Sequence, residues 1–282
     1  MTKDFVTAEM IQSEMEAMSD PKKAAHHQRF FKTGPGEYGE NDVFIGIVVP
    51  KVRVIAKSNY KKISLPEIEK LLASPLHEIR QAALFMLVEK YDQASRLENT
   101  NIKPKSESKS VPSKTDDPAK EAAREKKEIV ALYLDNLKSV NNWDLVDASA
   151  PQILGNWFLT TDPKNLGKET LSKLSKSDDL WENRIAVMAT QAYIRAGIFQ
   201  PTLKLCDLYL DSNEDLIHKA TGWMLREIGK KDEAVLIAYL EYNAAVMPRT
   251  MLRYSIEKLT PEQKKKYMGA ANKIRQNLEI KI

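Results

Sequence analysis

Apolar residues recur along most of this chain at the three-and-four spacing of one helix face, and strict alternation is nearly absent. The period predicts amphipathic helices over 4–19 and 21–32. They divide at Asp20-Pro21, where Asp20 can cap and Pro21 can take the first helical position. After a Gly- and Pro-rich turn, the run Phe44-Ile45-Gly46-Ile47-Val48-Val49 is strand-like in composition. Pro50 cuts it off and opens a helix over 50–59, so the run is predicted to be an extended connector outside any sheet.

From residue 64 the predicted helices come in pairs: 64–73 with 76–92, 120–138 with 142–159, 163–175 with 178–196, 200–211 with 213–229, and 231–242 with 248–258. A last helix is predicted over about 261–278. Second helices of the pairs share a look, as in Leu76-His77-Glu78-Ile79-Arg80 and Leu180-Trp181-Glu182-Asn183-Arg184. Trp143, Trp181 and Ile217 hold matching places, 38 and 36 residues apart, a period typical of HEAT-like repeats. One pair cannot bury its apolar face alone, so the prediction is an all-α, HEAT-like helical-repeat solenoid with one concave face. It spans 1–282 as a single repeat domain, interrupted at 101–119 by a Lys-, Ser-, Pro- and Asp-rich stretch that reads as a flexible insertion.

Composition narrows the function. An apolar share of 43% over 282 residues supports a real core. Forty-three Lys and Arg against 39 Asp and Glu leave a net charge of +4, which permits nucleic acid without demanding it. The single Cys206 excludes an intrachain disulfide, and its apolar neighbours Leu203, Leu205 and Leu208 predict a buried thiol. Without a signal-like start or a run of about 18 apolar residues, the chain is expected to be soluble and cytoplasmic. No Gly-rich phosphate loop, GxSxG elbow or HExxH spacing occurs. Neither a cofactor nor a metal is therefore expected at His26, His27, His77 or His218.

What remains is an aromatic, acidic and basic set on successive second helices. Trp143 and Asp147, four residues apart, share a helix face. A π surface beside a carboxylate suits a ligand that is cationic or becomes so. Burying a carboxylate one turn from a core Trp is costly, so Asp147 either caps something locally or lines a wet surface with Trp143. Asp144 reads as solvated or capping. Trp181 reads as repeat core, and Arg184 as a phosphate clamp or a salt-bridge partner for Asp147. Trp223 sits beside Gly222, where a small neighbour leaves room for a flat ligand, and Arg226 follows.

Asn142-Trp143-Asp144-Leu145-Val146-Asp147, Leu180-Trp181-Glu182-Asn183-Arg184 and Lys219-Ala220-Thr221-Gly222-Trp223-Met224-Leu225-Arg226-Glu227 resemble successive motifs of the AlkD-type DNA alkylation repair glycosylases. Gln28-Arg29-Phe30-Phe31-Lys32 and the 44–50 run also fit, with Phe30 where the family carries a hydroxylated aromatic. The resemblance implies a helical-repeat fold cradling duplex DNA, and hydrolytic excision of cationic N3- or N7-alkylated purines without base flipping. It places Trp143, Asp147 and Trp223 in the catalytic cleft, with Arg184 on the backbone near the lesion.

The alkylated base is already a good leaving group, so no general acid is needed, and Asp147 can stabilise the oxocarbenium ion. With no lysine in the motif, lyase activity is not expected. Further phosphate contacts are expected from Lys219, Arg226, Lys230, Lys231, Arg249 and Arg253, in a monomer bound to duplex DNA. Two alternatives stay open: a non-catalytic binder of branched or damaged DNA, and a HEAT-repeat scaffold for protein partners.

Overall fold

A computed structural model describes residues 5–100 and 117–269. The fold is all-α and helical-repeat in kind, and the only β feature among the described residues is a lone bridge between Val43 and Leu76. The chain divides into two compact units, 1–153 and 154–282.

In the first unit, α1 (Ala8–Glu16) and α2 (Pro21–Phe30) are parted where predicted. Asp20 accepts from the amides of Lys22 and Lys23, and Pro21 occupies the first turn, where its missing N–H leaves no bond unmade. The 44–48 run is extended, and α3 (Val49–Asn59) starts beside Pro50. Then come α4 (Leu65–Leu72), α5 (His77–Thr100), α6 (Pro118–Asp135) and α7 (Trp143–Asp147). Helix α5 is the central element, packed by α3, α4 and α6. Residues 77–87 of it are buried all round, with Ile79, Met86 and Leu87 in the core, each contributing about 1.5–3 kcal/mol of apolar transfer. Of the expected insertion, 101–116 lies outside the described residues, whereas Asp117 caps α6 and Pro118-Ala119 open it.

The second unit holds α8 (Asn156–Thr161), α9 (Lys168–Leu174), α10 (Leu180–Ala189), α11 (Gln191–Arg195), α12 (Gln200–Leu208), α13 (Asp215–Lys231), α14 (Glu233–Asn243) and α15 (Arg249–Ser255). A helical stretch follows over 261–269; the rest of the predicted last helix lies outside the described residues. Helix α13 is central here and packs against α10, α12, α14 and α15.

Two predicted helices are interrupted. The segment 142–159 is α7, a turn, a π-helical turn over Pro151–Gly155 and then α8. Pro151 cannot donate to the preceding turn, and the Ser149 hydroxyl bonds back to the Leu145 carbonyl at 2.6 Å. The segment 178–196 breaks at Thr190 into α10 and α11, with the Thr190 hydroxyl on the Val187 carbonyl at 2.7 Å.

Gly222 explains how α13 and α15 pack so closely. A Cβ there would lie 2.5 Å from the Met251 carbonyl oxygen and 2.7 Å from Tyr254 Cβ. The small residue serves helix packing, so the expectation that it leaves room for a ligand beside Trp223 is corrected. Gly222→Ala is expected to lower stability by about 1–3 kcal/mol despite alanine's better helix propensity, because a backbone carbonyl cannot move aside cheaply. Urea unfolding followed by tryptophan fluorescence checks it; an unchanged midpoint contradicts the account.

Candidate active site

The short helix α7 is fastened to the first unit by a buried polar cluster. Asn142, fully buried at its N-cap, accepts from the Trp143 amide at 2.9 Å and donates from Nδ2 to Asp42 Oδ2 at 2.8 Å. Asp42 also faces His77 Nδ1 at 3.0 Å and is ion-paired with Arg80. The other ring nitrogen, His77 Nε2, meets Asp144 Oδ2 at 2.9 Å, and Gln81 Nε2 donates to the same oxygen at 2.7 Å. Arg80 spends further donors on the Ser74 carbonyl and Asn141 Oδ1. Asp144 is thus tied to α5 and not solvated, as the sequence had suggested.

A ring with a carboxylate at each nitrogen is satisfied fully only as imidazolium, which donates from both. Burial pulls the His77 pKa down, but Asp144 and then Asp42 outweigh it and raise it to about 9. Burial works likewise against ionisation of Asp42, yet His77, Arg80 and Asn142 hold its carboxyl below the ordinary carboxylate range. The cluster is charged and internally compensated.

Aromatic rings continue from it. His77 stacks on Phe44 (centroids 4.3 Å apart), Phe44 on Phe31 (4.8 Å) and Phe31 on Trp143 (5.2 Å, planes 18° apart). Phe30 meets Trp143 edge-on at 6.0 Å and is itself 58% exposed. Trp143 is half-buried, as is Asp147 one turn further along α7. Behind Asp147, the buried Tyr133 hydroxyl bonds with Ser149 Oγ at 3.0 Å. Its pKa is pushed up by burial first and by the Asp147 charge besides.

The other candidates lie in the second unit. Trp181 is buried, as expected for repeat core. Arg184 is buried too, and Nη1 donates to the Leu216 carbonyl at 2.6 Å. Trp223 is half-buried with Nε1 on Glu227 Oε1 at 2.9 Å. Lys230 reaches the same carboxylate at 2.7 Å, Lys219 pairs with Asp215 at 2.8 Å, and Arg226 pairs with Glu257. Arg249 donates to the Met268 carbonyl at 3.1 Å, while Lys231 and Arg253 are exposed. The exposed ion pairs at Lys219 and Lys230 are worth only about 0–1 kcal/mol.

Sequence reading missed Asp42, His77, Arg80 and Asn142. The available signal was polar residues in a register of α5 that apolar neighbours mark as buried. Buried Cys206 has its thiol pKa pushed up by burial, as suits an inert side chain. Among the described residues no group of three or more His, Cys, Asp or Glu is disposed to hold a metal ion, and no helix is long and apolar enough to cross a membrane.

The raised His77 pKa has a definite pH signature. Its contribution to stability is fully present below the unfolded value of 6.5 and is lost as pH rises through about 9, on the order of 3 kcal/mol for a shift of this size. Asp42 acts oppositely, its contribution being lost as pH falls through its lowered pKa. Unfolding free energy measured from pH 6 to 10 should fall across that window, and His77→Gln should flatten the fall. An equally steep fall in the variant would refute the assignment.

The profile of a family described as DNA alkylation repair enzyme matches residues 11–259. Among solved structures, one described as a predicted DNA alkylation repair enzyme from Enterococcus faecalis is similar in fold. Its TM-score is 0.61 at 18% identity, over 86% of this chain and 97% of that one. No curated protein matches. With the family profile covering nearly all of the described helices, the chain belongs to the DNA alkylation repair enzyme family.

Proposed function

We propose that this protein is a monofunctional DNA glycosylase that hydrolyses the N-glycosidic bond of cationic N3- or N7-alkylated purines in duplex DNA. The observation that carries the reading is α7 itself. A half-buried indole and a half-buried carboxylate share one short helix, and its first turn is held by the Asn142 cap and the Asp144 bonds. A fixed anion beside a fixed π face suits charge that appears on a sugar during reaction.

The chemistry needs little else. As the C1′–N bond breaks, its electron pair goes to the base, which leaves neutral, and the deoxyribose becomes an oxocarbenium ion. Asp147 stabilises that ion and orients a water, whose oxygen bonds to C1′ while its proton passes to the carboxylate or to solvent. A cationic base needs no protonation to leave. Trp143 offers its π surface to the cation, a contact worth about 0.5–2 kcal/mol depending on desolvation. Trp223 belongs to the same reaction by its place in the family-like motif, and the base stays in the stack. No lysine lies in the Trp143–Asp147 helix to form a Schiff base, so strand cleavage by a lyase step is not part of the reading.

Asp147→Asn should abolish most release of 7-methylguanine from methylated duplex, at least roughly a hundredfold, while binding to the same duplex changes little. Trp143→Ala and Trp223→Ala should each lower the excision rate more modestly. Free base is measured by chromatography after incubation with alkylated DNA. Wild-type excision by the Asp147→Asn variant would remove Asp147 from the mechanism. Binding without any base release by the native chain would make it a DNA-binding relative of the enzymes.

A further inference from the structure

The charge of this chain is unevenly placed. Residues 21–36 and 43–66 hold nine Lys and Arg and no Asp or Glu, so the remaining 34 cations face 39 carboxylates. Both acid-free segments belong to the first unit, which as a whole balances 23 Lys and Arg against 23 Asp and Glu, so its basic residues are concentrated locally.

Within 21–36 the cations have an order. Lys22, His26 and Arg29 follow one another by four and three residues, which sets them on a single stripe of α2. All three are exposed, while Ala24, His27 and Gln28 on the other side are partly covered. Among the described residues no salt bridge holds Lys22 or Arg29, in contrast to Lys23, which pairs with Asp20, and to Lys219, Arg226 and Lys230. The nearest carboxylates in sequence are occupied. Asp20 caps α2, Glu37 and Glu40 accept from the amides of Gly34 and Gly36, and Glu78 takes the amides of Ile45, Gly46 and Ile47. At its C-terminal end the stripe runs into Phe30, the exposed ring in T-shaped contact with Trp143.

We propose that α2 is a backbone-gripping element of the DNA site, with Lys22 and Arg29 on phosphates about three nucleotides apart on one strand and the stripe leading to Trp143. The reading rests on duplex DNA being the substrate. From Lys22 to Arg29 the helix rises about 10 Å, the axial advance of about three nucleotides on one strand. Exposed, unpaired cations are also the cheapest to commit, since no ion pair has to open first.

The test uses the full chain and an undamaged duplex, so it reads binding independently of base excision. Affinity is measured between 50 and 200 mM salt for the native protein, for Lys22→Ala with Arg29→Ala, and for Lys219→Ala with Lys230→Ala as a comparison. The α2 double variant should bind at least roughly tenfold more weakly at the lower salt, and its log Kd against log salt should flatten by about 2 units of slope. The charge-preserving Lys22→Arg with Arg29→Lys should restore both, which separates charge from any loss of folding. Native affinity and slope in the alanine variant would overturn the proposal, as would no recovery in the charge-preserving one. If the α2 variant loses binding while the native protein releases no alkylated base, the phosphate role stands and the glycosylase reading fails.

Discussion

One buried ion cluster holds the first unit's candidate chemistry in place. Asp42, His77 and Asp144 form a carboxylate–imidazolium–carboxylate line closed by Arg80, Gln81 and Asn142. Taking these charges from water is expensive, and only near-complete mutual satisfaction offsets it. Removing a single partner would leave an uncompensated buried charge, a loss of about 3–5 kcal/mol. What the arrangement provides is direction: two bonds reach the start of α7 from α5, so a helix of one turn and a half cannot rotate about its axis.

That constraint matters because α7 is too short to be stable alone. Its five residues carry both candidate groups, and their orientation depends on what lies beneath them. The ring series from His77 through Phe44 and Phe31 to Trp143 transmits the same fixation to the indole. One indole face is spent on Phe31, and the indole remains only half-buried. A catalytic group needs this kind of support, because electrostatic stabilisation works best when the dipoles and charges need not reorganise.

The second unit distributes its charge differently. There Lys219, Arg226 and Lys230 pair with carboxylates, while Arg184 and Arg249 donate to main-chain carbonyls. In the first unit α2 shows unpaired cations along an acid-free stripe. Paired and unpaired cations thus occur on one chain, a distinction that net charge alone conceals.

Periodicity in the sequence determined the all-α repeat fold, because burial of an apolar helix stripe is a local, one-dimensional demand. The Asp20-Pro21 junction, the connector at 44–49 and the buried state of Trp181 and Cys206 were legible for the same reason. So was the pairing of Trp143 with Asp147, which follows from four-residue spacing. Helix breaks at 148–155 and at Thr190 were not, since hydroxyl-to-carbonyl bonds compete with the helix at a scale that periodicity ignores. Nor could the chain alone reveal that Gly222 admits a neighbouring helix, that Arg184 donates to the Leu216 carbonyl, or that Asp42 meets a histidine 35 residues away. Those outcomes depend on which polar groups become each other's neighbours once water is excluded, and only the packed structure decides that.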